Sequence, residues 1–277
     1  MAWSDEDMSL ADLHVHSTFS DGKLSVRELV DWYGSAGVRT LGITDHWCDS
    51  VSPLGWFARA LGRTLTRDSL QLYLDTLESE ARRAKQRYGM TLVTGIEFTW
   101  NTLSNHRSAH IVVLSKESSE LRGLNPNLGM EQLLNEAKQR ELFTIAAHPL
   151  STGRMEAQTY YLWDHRERLA DQIDAWECAT WDRRFEEVER SGLPIIANSD
   201  LHSKRQALAW RSSLEIGSHA DVQDVFECIR AQALTPVHYE LPGARYDSVA
   251  ALSSTQSPLK LAPFRGPVDL PEQSLSV

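Results

Sequence analysis

The sequence predicts an α/β protein built on a parallel sheet, closed as a barrel or doubly wound. Two observations carry this. Short apolar or β-branched runs recur at 11–17, 40–46, 91–98, 109–115, 143–149, 173–179 and 193–200, as buried parallel strands should. Amphipathic stretches separate them, which is the alternation of a parallel sheet covered by helices. The length bounds the answer: 277 residues fit one large domain or two small ones.

Each helix has its own signal. Residues 25–36 put Val26, Leu29, Val30 and Tyr33 on one face. Residues 67–88 space Leu70, Tyr73, Leu74, Leu77, Ala81 and Ala84 by three and four. Arg82, Arg83, Lys85 and Arg87 cluster late, where the helix dipole favours cations. Residues 130–141 and 181–191 repeat the pattern, the latter stopping at Ser191-Gly192 before Pro194. No internal repeat or linker is visible. After Leu241 periodicity fades into Pro, Ser, Gly and Leu. The expected organisation is a domain over 1–241 and an irregular, partly disordered tail over 242–277.

Composition excludes several classes. Apolar residues at 42% and charged residues at 24% rule out a fibrous or wholly disordered chain. A net charge of −10 argues against a broad surface for long duplex nucleic acid. Three scattered cysteines form no disulfide framework and no zinc signature, which fits a reducing cytoplasm. The start MAWSDEDMSL lacks a basic region followed by an apolar one, so no secretory signal is expected. No run approaches the length of a membrane span.

Ten histidines accompany that acidity, and six of them stand at the ends of candidate strands beside carboxylates. In a parallel barrel the C-terminal strand ends build the active site. His14 and His16 in Asp12-Leu13-His14-Val15-His16 are two apart, so on a strand they project together, and Asp21 follows in the next turn. His46 ends the run Ile43-Thr44-Asp45-His46. Glu97 ends another, where a carboxylate needs a partner or a cation. His110 opens a strand, His148 closes one, and Asp200 and His202 repeat the two-apart spacing. Imidazole with carboxylate suits Zn²⁺, Mn²⁺ or Fe²⁺ better than Mg²⁺ or Ca²⁺. Six histidines, two aspartates and one glutamate are too many ligands for one ion and suit three.

The ordered set DLHVHSTFSDG, TDH, GIE, His110, AHP and SDLH resembles the PHP (polymerase and histidinol phosphatase) phosphoesterase family from Asp12 to His202. The resemblance implies a distorted (β/α)7 barrel with a trinuclear metal centre. His14, His16, Glu97 and Asp200 would bind the first ion. Glu97 would bridge to a second held by His110 and His148. Asp21, His46 and His202 would hold the third. The implied activity is hydrolysis of a small phosphomonoester, a nucleotide being one candidate, by a metal-bridging hydroxide. No Gly-x-Ser-x-Gly elbow, Cys/His signature or P-loop offers another chemistry.

Other readings stay open: an exonuclease or phosphodiesterase on short oligonucleotides, a non-catalytic metal-stabilised binding module, and C–N hydrolysis on a related barrel. Asp45 could orient a ligand histidine or relay a proton, or simply cap a turn. Arg154, Lys204 and Arg205 follow ligand motifs and could clamp a distal phosphate. Asn198 and Ser199 could line the mouth. Trp47, Trp100, Trp176 and Trp181 lie close to strand ends and could stack on a base, or pack the core. His106 is a candidate loop member; His165, His219 and His238 read as ordinary residues. The oligomeric state is not legible.

Overall fold

A computed structural model describes residues 9–150, 159–217 and 219–243. Arg154 and the expected tail from residue 244 onward lie outside the described residues. In chain order the elements are β1 (Ser9–Asp12), α1 (Val26–Ser35), β2 (Thr40–Ile43), β3 (His46–Cys48), α2 (Pro53–Ala60), α3 (Arg67–Tyr88) and β4 (Thr91–Trp100). Then come β5 (Ala109–Ser115), α4 (Met130–Gln139), β6 (Phe143–Ala146), α5 (Tyr161–Asp164), α6 (Arg166–Leu169), β7 (Ala175–Thr180), β8 (Arg183–Arg184) and α7 (Glu186–Glu189). β9 (Ile195–Asn198), β10 (Leu208–Leu214), α8 (Val222–Arg230) and β11 (Leu234–Glu240) complete the described chain. None of the described helices is long and apolar enough to cross a membrane.

One sheet runs β11-β10-β1-β2-β4-β5-β6-β7-β8, with β3 beside β4 and β9 beside β7. Each of the seven expected runs overlaps a strand, β1 meeting the run 11–17 only at residues 11–12, but the sheet is mixed rather than parallel. β4, β5 and β6 pair antiparallel, as do β1, β10 and β11. The connection from β4 to β5 spans only residues 101–108, too short for the crossover a parallel neighbour needs. Reversal of β5 has a consequence for the site. It brings His110, at the start of β5, to the end where β4 finishes.

Helices 25–36, 67–88 and 130–141 form within a residue or two as α1, α3 and α4. α1 starts on a capping box of Ser25 and Glu28, and α3 ends on Gly89 at φ 63°. The expected helix at 181–191 shrinks to the single turn of α7. Thr180 pairs with Arg183 in a hairpin instead, and Trp181 takes a left-handed φ of 43° at its tip. Phe185 and Val188 alone supply too little periodic apolar surface to hold a longer helix.

Both faces of the sheet are covered. On β5, Ile111 and Val113 join the apolar cluster under α1 and α3. Val112 and Leu114 join a second cluster with Val93, Ile145 and the α8 residues Val225, Phe226 and Ile229. Glu97 and His110 share a strand face with Val93 and Val112 respectively, so this second cluster runs up to the candidate site.

The edge between β1 and β9 is closed mainly by side chains. Leu13 N donates to Asn198 Oδ1 at 2.8 Å and Ser199 N to Asp12 Oδ1 at 3.0 Å, while Ala197 N donates to Ser212 Oγ of neighbouring β10 at 3.0 Å. A single backbone bridge follows, His16 N to Leu201 O at 2.9 Å. Asp12, next to the candidate ligands, thus serves the seam. Its other oxygen meets Tyr33 Oη at 2.9 Å and the fully buried Arg211 Nε at 3.1 Å. Arg211 also donates to the carbonyls of Ala207 and Tyr239. Arg211→Met should therefore cost about 3–5 kcal/mol in urea unfolding, because it strands a buried carboxylate without its counter-charge. A cost under about 1 kcal/mol, the level of a surface pair, would contradict this role.

Candidate metal centre

The sheet register assembles the site around Glu97. β3 continues the line of β2 along β4, which sets His46 opposite Glu97. On the other side Thr99 faces His110, so His110 is the diagonal neighbour of Glu97. His14 and His16 follow β1, His148 follows β6, and Asp200 follows β9. His148 and Asp200 both hold left-handed backbone, φ 28° and 51°. Such strain in non-glycine residues is tolerated where surrounding contacts over-determine it. Gly22 has no room for a side chain: a Cβ there would lie 2.3 Å from the His16 carbonyl oxygen. Its bare backbone lets the turn carrying Asp21 fold onto the His16 strand end.

All nine expected ligands come together. Around the fully buried Glu97, the nearest imidazole nitrogens lie at 2.5 Å (His46), 2.9 Å (His110), 3.3 Å (His14), 3.4 Å (His148) and 3.6 Å (His16). Asp200 Oδ1 is 3.0 Å from His16 Nε2 and 3.4 Å from His14 Nε2. Asp21 Oδ1 is 3.2 Å from His202 Nε2 and 3.7 Å from His46 Nε2. These residues form overlapping ligand sets: His14, His16 and Asp200; His14, Glu97 and His148; His46, Glu97 and His110; and His16, Asp21, His46 and His202.

Five of the six rings are pinned at one nitrogen. His14 Nδ1 donates to Glu177 Oε1 at 2.9 Å, and His202 Nδ1 to the Asp200 carbonyl at 2.9 Å. His46 Nδ1 meets Thr99 Oγ1, His110 Nε2 meets Asn101 Oδ1, and His148 Nδ1 meets Thr159 Oγ1. Pinning one nitrogen fixes the tautomer and leaves the other lone pair for the cluster, which in His46 is Nε2 on the Asp21 side. His16 is sandwiched between His46 and His202, ring centroids 4.3 and 4.1 Å away. Burial and those two cationic neighbours push its pKa down to about 3, so it is a neutral lone-pair donor.

The cluster fits divalent ions on its own evidence. His14 Nε2, both His16 nitrogens, Asp21 Oδ1, Glu97 Oε2 and Asp200 Oδ1 are buried without a hydrogen-bond partner. Buried polar atoms rarely go unsatisfied, and here they face one another as N and O donors of the kind transition metals and Zn²⁺ take.

Other expected residues have different places. Asp45 is occupied by the turn before Asp21, accepting from Ser17 N, Ser17 Oγ and Ser20 Oγ at 2.6–2.9 Å. It caps that turn; its carboxylate oxygens are taken by serines rather than by a ligand ring. Lys204 sits over the Trp32 ring at 5.4 Å, and neither it nor Arg205 is among the described residues lining the site cavity. Trp47, Trp100 and Trp176 are buried in the core, while Trp181 is partly exposed away from the cavity. His106 pairs with Asp164 on the surface. Asn198 is buried in the seam, and Ser199 is buried beside it.

Glu177 is the residue that sequence reasoning passed over. It accepts from His14 Nδ1, from His148 N at 2.7 Å and from Asn198 Nδ2 at 2.9 Å. Its signal was present: an acid in the apolar run 173–179, the same pattern that marked Glu97. The cavity holds about 370 Å³, and Cys48, Thr99, Asn101, Leu54, Phe57, Ala58, Leu61 and Arg63 line it with the ligand cluster.

Residues 12–149 match the family model of the PHP domain. The chain belongs to the PHP family. Glu177, Asp200 and His202, which the structure brings to the same cluster, lie beyond the matched span. Among solved structures, a two-domain protein from Bacteroides vulgatus containing a predicted PHP-like metal-dependent phosphoesterase is similar over 86% of this chain and 68% of its own, with 18% identity and a TM-score of 0.60. An amidohydrolase from Chromobacterium violaceum, with bound sulfate and no metal, overlaps 82% of this chain and 97% of its own at 15% identity and a TM-score of 0.45. No curated protein matches the chain in sequence.

Two outcomes follow from this geometry. Without ions, burial pushes His46 and His202 down. Glu97 beside the former, and Asp200 with Asp21 beside the latter, outweigh it and hold the rings at about 9 and about 10, above the ordinary 6.5. Both rings then carry protons at neutral pH. Their stabilisation of the ion-free PHP domain is full below pH 6.5 and is lost as pH rises through 9 to 10. Ion binding needs the neutral rings, so loading at neutral pH should release a proton from each. Calorimetry in two buffers of different ionisation enthalpy reads this directly; heats independent of buffer would contradict it. Separately, Glu177→Gln offers one acceptor oxygen to three donors and should weaken metal affinity about 10–100-fold in chelator competition.

Proposed function

We propose that this PHP domain is a metal-dependent hydrolase of small phosphomonoesters. The observation that carries this reading is the ring of buried, unpartnered nitrogen and oxygen atoms around Glu97, in which the far nitrogens are already committed. In this proposal His14, His16 and Asp200 hold one ion with Glu97, His110 and His148 hold a second with Glu97, and Asp21, His46 and His202 hold a third. Zn²⁺, Mn²⁺ and Fe²⁺ suit this donor set. Bound there, such ions supply Lewis acidity, lowering the pKa of water and offsetting charge on phosphoryl oxygens.

The chain's own residues do the rest. Glu177, Thr159, Asn101 and Thr99 hold the imidazoles in one tautomer. Asp45 and Gly22 hold the turn that presents Asp21. The low pKa of His16 keeps a neutral nitrogen in the middle of the cluster. A cavity of about 370 Å³ suits a small ester. Arg63 is the one arginine or lysine among its described lining residues, which disfavours a long polyanion such as an oligonucleotide. The strand set β1, β2, β4–β7 and β9 supports the distorted (β/α)7 reading of the fold. In the same proposal the domain spans 1–241, the remainder is a tail, and three unpaired cysteines suit a reducing cytoplasm.

The test is hydrolysis of an aryl phosphate by the metal-loaded protein, abolished by chelation and restored by Mn²⁺ or Zn²⁺. Silence across a broad phosphate-ester panel, with metal content confirmed, would sink the reading. Glu97→Ala should lose two ions together by elemental analysis. Its activity should fall by more than the roughly 10–100-fold typical of losing an outer partner. Loss of a single ion would contradict a bridging Glu97.

A further inference from the structure

α2 is apolar, yet the fold buries little of it. Gly55 is its one buried residue, packed so close to the Asp49 carbonyl that a Cβ would lie 1.9 Å away. Leu54, Phe57 and Leu61, the last just past the helix end, are 37%, 55% and 51% exposed. Lone exposed apolar residues are ordinary, but these are not scattered. Leu54, Phe57, Ala58 and Leu61 are spaced i, i+3, i+4 and i+7, one face of a helical turn. All four line the cavity that holds Asp21, His46, His110, His148, Asp200 and His202.

The excursion carrying this face is fixed to the site. At its base, Leu65 N donates to the His46 carbonyl at 2.7 Å, and Cys48 N to Thr64 Oγ1 at 2.8 Å. At its start, Asp49 accepts from Val51 N, Ser52 N and Ser52 Oγ, and Ser52 caps α2 through Gly55 N. An apolar wall is thus held rigidly across a small cavity from a metal-ligating cluster. Arg63, at the end of that wall, has no acidic side-chain partner among the described residues and faces the same cavity. The occupant that satisfies both walls has an anionic head and a flat or branched apolar body.

Resting on the phosphoesterase reading, we propose that the Leu54, Phe57, Ala58 and Leu61 face is the specificity wall of this site, selecting phosphate esters whose organic group is aromatic or otherwise apolar. Sugar phosphates and glycerol phosphates, which would set hydroxyls against the wall, are disfavoured by the desolvation of those groups. The face also takes the stacking role that the tryptophans do not fill, with Phe57 as its ring.

The experiment uses two non-hydrolysable probes on the Mn²⁺-loaded full chain, 1-naphthylmethylphosphonate and methylphosphonate, with binding read by calorimetry. The expected result is naphthyl binding at least about 10-fold tighter, with a more negative heat-capacity change from apolar burial. In Phe57→Ser/Leu61→Ser the gap should shrink to about 3-fold or less, while methylphosphonate binding stays within about 2-fold, because the wall contributes only through apolar area. Both side chains are half exposed, so thermal unfolding should be unchanged and shows that the variant is folded. Equal binding of the two probes by the natural chain overturns the proposal, as does a gap that survives the double substitution. Binding of neither probe overturns the phosphoesterase reading and this inference together. Binding of both probes equally overturns this inference alone.

Discussion

A carboxylate buried with five imidazoles within 3.6 Å is a severe electrostatic demand. Burial alone would drive Glu97 to protonate, yet the rings facing it hold its pKa well below the usual carboxylate range. The anion needs cations, and the rings can supply charge only by keeping protons that occupy their lone pairs. Divalent ions resolve the conflict, because the rings can then be neutral and the carboxylate charged. Much of the local architecture answers this demand. The break between β2 and β3 sets His46 opposite Glu97. The reversal of β5 brings in His110. The strained backbones at His148 and Asp200 turn two more candidate ligands inward.

The candidate site was more legible in the sequence than the fold. His14 with His16, and Asp200 with His202, announce themselves because a two-apart spacing beside a strand end groups two donors as a metal site would need. Glu97, His46 and His148 stand at the abrupt ends of apolar runs, where an ionisable group needs a reason. What holds them is quieter. Glu177 is one acid in an apolar strand, and Thr99, Asn101 and Thr159 act through single hydrogen bonds that leave no spacing pattern. Arg63 and the α2 face were hidden for the opposite reason: α2 is short, and its apolar residues face a cavity instead of the core.

Strand direction was the larger miss. A buried antiparallel strand such as β5 reads like a parallel one, because both faces are covered and the run is continuous. β10 was invisible as a strand because Arg211, Ser212 and Ser213 interrupt it, yet all three are buried. Arg211 answers Asp12, and Ser212 answers the β9 backbone. β11 carries Pro236, which a sheet tolerates here because, among the described residues, β11 is an edge paired only with β10.

The seam between β1 and β9 also sets an order of events for a chain leaving the ribosome. Its bonds join residues 185 and 187 positions apart, and Arg211 must arrive before Asp12 has its counter-charge. His14 and His16 emerge early, whereas Asp200 and His202 come after most of the domain has been made. Contacts of such separation form late. The nascent chain therefore exposes a pair of histidines long before Asp200, one of the carboxylates assigned to their ion, exists. A cation captured then could be held only by an incomplete set. On the proposed assignment, the full set of donors exists only once the seam has closed.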